Sequence, residues 1–272
     1  MLSMRNGKIG VFDSGLGGLL VFKHLVKELP EYDYIYLGDT KRVPYGSRSH
    51  DTIYEFLEEA VDFLFREGCE LIIVACNTAS AVALRKIQQK YLPKRYPQKK
   101  VLGVIIPAAE LSENAKRIGV LATQATVESG TFVRELKKTN PKAKVYQQAA
   151  PLLVPLIEQG KHKESIPFLK EYLEPLLKEN IDTLILGSTH YGNLKKEIQE
   201  IIGLSIRIIS QNEILAPKLR EYLASHTEVE GKLSRKKERR LLVTDVNEYY
   251  KALARKWFGS KNQLHLVVLP SH

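Results

Sequence analysis

The sequence is poor in cysteine: Cys69 and Cys76 are the only two in 272 residues. They lie seven residues apart, and the second ends an apolar run that reads as a stiff strand. A disulfide framework and a structural zinc site are therefore not expected, and both thiols should be free. No metal-ligand spacing occurs along the chain. The glycine-rich stretch 12–18 (FDSGLGG) lacks the G-x-G-x-x-G spacing of a dinucleotide fingerprint. No metal, pyridoxal or nicotinamide cofactor is expected. Apolar runs such as 71–76 fall far below the roughly 18 residues of a membrane helix, and residues 1–7 lack the apolar segment of a secretory signal. The reading is a cytoplasmic protein with no membrane partner.

Apolar residues make up 44% of the chain, ample for a packed core, and the formal charge of +10 favours anionic partners. Charge alone does not choose among nucleic acid, acidic lipid and a small dicarboxylate. Six of the nine residues in 232–240 (KLSRKKERR) are basic. That segment reads as a solvated loop, with a phosphate-binding patch as the alternative. No aromatic residue interleaves it, so nucleic acid is not the expected partner.

Short apolar runs alternate with helical segments, the pattern of an α/β protein built on parallel strands. Strands are expected over 8–12, 33–37, 71–75, 101–105, 117–122, 144–147, 183–186, 206–209 and 240–243. Helices are expected over 17–28, 51–67, 79–91, 108–114, 127–138, 151–159, 163–178, 192–202, 212–223 and 247–258. The chain also repeats itself diffusely. IGV at 9–11 recurs at 118–120, and LIIVACNT at 71–78 is echoed by TLILGSTH at 183–190. The second echo sets Cys76 opposite Ser188. Two similar parallel-sheet lobes follow, 1–98 with 210–272 and 99–209, with the site in the cleft between strand ends. Residues 94–100 read as the crossing between lobes.

The polar groups at these strand ends are the candidate site. Asp13 and Ser14 follow the first strand beside backbone N–H groups and a helix start able to hold an anion. Cys76 stands at a helix N-terminus, where the dipole favours thiolate, and its polar neighbours argue for exposure in a cleft. Asn77 and Thr78 beside it suit a carboxylate or ammonium ligand. Tyr45 and Gly46 follow Pro44 in a rigid turn, with Tyr45 a candidate lid. Ser188, Thr189 and His190 end the strand of the second lobe, and His190 is an acid–base candidate. Cys69, at a helix-to-strand turn, reads as packing.

IGVFDSGLGG, LGDTKRVPYG, VACNTASA, IGVLATQATVESG, VPLIEQG and LILGSTHY occur in the order and spacing found in glutamate racemases, and TDVNEYYKALARKWFG resembles the end of those enzymes. Aspartate racemases fit less well, because their first loop lacks the DSG opening. The resemblance implies an isomerase without cofactor that interconverts L- and D-glutamate for peptidoglycan, acting as a homodimer. It also implies that two cysteines face each other across the substrate Cα. Cys76 matches the first of them and Asp13 its assisting acid. Ser14, Tyr45, Gly46, Asn77, Thr78 and Thr189 match the groups that hold the substrate, and His190 matches the assistant on the second side.

The match departs at Ser188, where the family reads G-C-T-H and this chain reads Gly187-Ser188-Thr189-His190. A serine hydroxyl is a far weaker acid than a thiol, whose reference pKa is about 8.5. Three readings stay open: a substitution that traps substrate, an enzyme that uses His190 or water on that face, and a homologue without turnover. The last would be an amino-acid-binding protein whose basic surface contacts nucleic acid or another protein. Gly192, where proline is usual, and Ser210-Gln211, where Asp-Ser is usual, are lesser departures.

Overall fold

The computed structural model describes residues 6–15, 17–260 and 262–270. Ten strands form two sheets in which every pairing is parallel. The first holds β1 (Lys8–Asp13), β2 (Tyr34–Gly38), β3 (Cys69–Val74), β4 (Lys100–Gly103), β9 (Arg239–Val243) and β10 (Leu264–Leu266), in the order β10-β9-β2-β1-β3-β4. The second holds β5 (Arg117–Ala122), β6 (Lys144–Ala149), β7 (Thr183–Gly187) and β8 (Arg207–Ile209), in the order β6-β5-β7-β8. Helices cover both faces of each sheet, which explains why the central strands read as unbroken apolar runs rather than alternating ones. Four clusters of buried side chains result, two for each sheet.

The repeat seen in the sequence is the architecture. The inner strands β2-β1-β3-β4 recur as β6-β5-β7-β8, so β1 answers to β5 and β3 to β7. In each lobe the chain leaves the central strand in one direction and later returns on its other side. The crevice beyond the strand ends at that reversal is where open α/β sheets take ligands.

The lobe boundaries need one correction. Residues 99–209 were assigned to the second lobe, but β4 pairs with β3 through Ile72↔Val101 and Ile73↔Leu102 in the first sheet. The crossing follows Gly103 rather than occupying 94–100, a turn that joins the helix Leu92–Arg95 to β4 within the first lobe. The helix Ile105–Glu110 then packs Ala108 and Ala109 against Ile118 and Val120 of β5. On the return, the helix Gln211–Ser225 buries Leu215, Ala216, Leu219 and Leu223 against the first sheet.

Three expected helices are broken. The stretch 127–138 divides at Gly130, whose φ of +62° ends Gln124–Ser129 in the left-handed region before Thr131–Thr139 begins. The stretch 79–91 starts earlier, at Asn77, breaks at Ala83, and continues through a π-helical turn, Ile87–Tyr91. The stretch 192–202 opens as a tight 3₁₀ turn, Thr189–Leu194, before Lys195–Ile202. β10 was not expected, being three residues long on an edge. No helix among the described residues is long and apolar enough to cross a membrane.

In the basic segment 232–240 the three arginines are engaged within the fold. Arg235 pairs with Glu230, Arg240 with Glu67, and Arg239 donates to the carbonyls of Pro30, Tyr32 and Glu238.

Candidate active site

β1 and β3 deliver the first half of the site and β7 the second. Asp13, the last residue of β1, is fully buried. Its Oδ2 accepts from the backbone N–H groups of Gly15 and Gly18, both at 3.0 Å. The anion-binding turn expected from the sequence is therefore filled by the chain's own carboxylate. Oδ1 accepts from Thr189 Oγ1 at 3.1 Å, across the cleft. Burial raises the Asp13 pKa to about 6, against the opposing pull of His190 and these hydrogen bonds.

Cys76 caps the six-residue helix Asn77–Val82. Its Sγ accepts from Ala79 N–H at 3.4 Å and lies 3.4 Å from Ser14 Oγ. Two expectations about it fail. It is 3% exposed, not open in a cleft. Burial, and then the field of Asp13, push its pKa up to about 12, outweighing the bonds from Ser14 and Ala79. In this dry setting the short helix does not produce a resting thiolate. Cys69 is a core residue, as read, and its thiol is free like that of Cys76.

On the second lobe Ser188 follows β7, with its Oγ 3.5 Å from His190 Nδ1. The other ring nitrogen of His190 meets the Glu158 carboxylate, whose second oxygen accepts from the Tyr250 hydroxyl. Burial pulls the His190 pKa down, but Glu158, and then Asp13, outweigh it and raise it above 6.5. Ser188–His190–Glu158–Tyr250 is thus a hydrogen-bonded chain ending on a helix of the first lobe, Glu248–Phe258.

Thr78 Oγ1 lies 2.9 Å from Thr123 Oγ1, which lies 2.9 Å from Thr126 Oγ1, so three buried hydroxyls join the lobes. Tyr45 is no lid. Its ring packs against Phe12 and Phe56, and its hydroxyl donates to Asp39. Gly46 lies flush with Thr123, and a Cβ there would sit 2.5 Å from Thr123 Cβ. Glu158, Tyr250, Thr123 and Thr126 were missed as site residues. All four stand in the motifs VPLIEQG, IGVLATQATVESG and TDVNEYYKALARKWFG, whose local pattern does not single them out. Among the described residues no cluster of His, Cys, Asp and Glu has the geometry to hold a metal ion.

The sequence pattern of the Asp/Glu/Hydantoin racemase family matches residues 9–219. The glutamate racemase of Aquifex aeolicus is 43% identical over 222 residues, 79% of this chain and 83% of that one. That of Synechocystis is 35% identical over 278 residues, covering 99% and 95%. The structure of the Francisella tularensis glutamate racemase in complex with D-glutamate superposes with a TM-score of 0.87 at 35% identity, covering 99% of this chain and 100% of that one. With the motifs, the doubled sheet and these relatives in agreement, the chain belongs to the Asp/Glu racemase family.

Proposed function

We propose that the chain interconverts L- and D-glutamate without a cofactor, supplying D-glutamate for peptidoglycan. The observation that carries this reading is the placement of Cys76 and Ser188 at equivalent strand ends of the two lobes. Inversion at Cα needs a proton taken from one face and another returned to the opposite face. Cys76 serves the first face and Ser188 the second.

Cys76 rests as a thiol and must lose its proton when substrate is present. Asp13, ionised above about pH 6, is the acceptor. Moving the proton from Cys76 to Asp13 exchanges one anion for another, so the buried cleft gains no charge, and the substrate ammonium stabilises the thiolate. On the second face Ser188 is too weak an acid to act alone. His190, holding its Nε2 proton on Glu158, offers Nδ1 to the serine hydroxyl and relays the proton through it. Ser14, Asn77, Thr78, Thr189 and the turn at Tyr45 and Gly46 hold the carboxylates and the ammonium, with Thr123 and Thr126 completing the hydroxyl wall. The homodimer implied by the family likeness is checked by sedimentation.

The test is to incubate the protein with L-glutamate, and separately with D-glutamate, in D₂O and follow the α-proton by NMR. Loss of the α-proton signal from both enantiomers is expected. Ser188→Cys should accelerate it by about 10²-fold or more, within the range of a positioned acid or base. No exchange from either enantiomer would leave a binding protein instead. Exchange unchanged by Ser188→Cys would show that the second face does not rely on the group at 188.

A further inference from the structure

Two buried amides meet where the chain returns from the second lobe to the first. Gln211, the first residue of its helix, donates from Nε2 to Asn77 Oδ1 at 2.9 Å, and each residue is 1% exposed. The bond joins segments 134 residues apart. It satisfies only half of each amide. Asn77 Nδ2 and Gln211 Oε1 have no hydrogen-bond partner among the described residues, nor has the neighbouring Ser210 Oγ. Asn77 directly follows Cys76 in the chain, and its unpartnered donor is buried.

An amide side chain has one accepting and one donating end, so fixing the carbonyl fixes where the NH₂ points. Leaving that NH₂ unpaired in a dry site costs about 1–3 kcal/mol, which an arriving carboxylate oxygen offsets. We propose that Gln211 is a positioning residue that holds the Asn77 amide with its NH₂ turned to the substrate, so that this subsite accepts a carboxylate and refuses a donor. The inference rests on the racemase reading of the site. Asn77 makes the contact and Gln211 acts only through it. The pair is out of reach of the family likeness, because position 211 is one of those at which this chain departs from the usual residues.

The test is calorimetric binding of L- and D-glutamate, which needs no turnover. Gln211→Glu removes the donor. Asn77 must then offer its NH₂ to the new carboxylate and present Oδ1 to the substrate, so Kd should rise roughly 10-fold to 100-fold, the range of one hydrogen bond to a charged group. Gln211→Met, similar in volume, frees the amide without reversing it and should raise Kd less. In an Asn77→Ala background Gln211→Met should have no further effect, because the whole influence of Gln211 passes through Asn77. An equal loss in both backgrounds, or unchanged binding by Gln211→Glu, overturns the proposal. Should the position 211 variants not fold, Asn77→Asp is decisive. It keeps an oxygen for Gln211 and loses the donor, so weaker binding by the folded variant is expected, and unaltered binding refutes the idea. If the unmodified chain binds neither enantiomer, the racemase reading itself fails and takes the proposal with it. If it binds both and the variants match it, only the role of Gln211 fails.

Discussion

At Asp13 one carboxyl group links the protein's stability to its chemistry. Its folded pKa, about 6, lies above the ordinary value of 3.8 because burial disfavours the charge. For a carboxyl shifted upward, the stabilising contribution is complete below pH 3.8 and is lost as pH rises through about 6. About two pH units at 1.36 kcal/mol each put the loss on the order of 3 kcal/mol. Asp13→Asn can still accept from Gly15 and Gly18 through its oxygen. Its unfolding free energy relative to the unmodified chain should therefore grow between pH 3.8 and 6 and level off above. In the same interval kcat/KM of the unmodified chain should rise as Asp13 becomes able to take the Cys76 proton. Asp13→Asn should lose that acidic limb and roughly 10² to 10⁴-fold in rate, the contribution of a positioned base. Denaturant melts and pH–rate profiles of the two proteins decide both points. A flat difference in stability would mean that Asp13 is not strained by burial.

Among the elements, the helix Gly17–Glu28 shows how closely the lobes approach. A Cβ on Gly17 would lie 2.4 Å from Thr189 Oγ1, 2.5 Å from His190 N and 2.6 Å from Thr189 C. Two of those three atoms are backbone and cannot swing aside. Gly17→Ala should thus hold the lobes apart. The clash should lower the melting temperature, and kcat/KM should fall by roughly 10²-fold through misplacement of Thr189 and His190. Activity equal to that of the unmodified chain would show that the contact yields without cost. Much of this level was legible in the sequence. Strand β5 and the helix at 17–28 lie at the limits expected, because their apolar residues continue up to a polar or glycine stop. The breaks were not legible. Gly130 sits inside a stretch whose apolar spacing continues on both sides, and only its left-handed φ separates two helices. β4 was given to the wrong lobe because strand pairing is a long-range fact that local pattern does not carry. The identities of Cys76, Ser188, Asp13 and His190 as strand-end groups were readable. The burial that turns Cys76 into a resting thiol was not, since it depends on the other lobe closing over it.

The whole molecule is a closed pair of lobes around a site whose strand-end side chains are almost wholly buried, Thr123 being the most exposed of them at 6%. Among the described residues the chain passes between the lobes after Gly103 and at Ser210. The contacts Asp13–Thr189, Thr78–Thr123 and Tyr250–Glu158 tie the lobes together around the site. The repetition of β2-β1-β3-β4 as β6-β5-β7-β8 has a thermodynamic corollary. It presents corresponding strand ends to two mirror-image ligands, with a thiol on one side and a hydroxyl on the other. The lopsided chemistry invites the idea of a one-way enzyme. Enantiomers have equal free energies in water, however, and the Haldane relation then requires kcat/KM to be the same from either end. Between the two directions the thiol–hydroxyl difference can appear only as a change of kcat and KM by the same factor. Progress curves started from pure L- and pure D-glutamate should converge on an equal mixture with matching initial slopes at low concentration. Unequal slopes there would mean that the two molecules being exchanged are not mirror images.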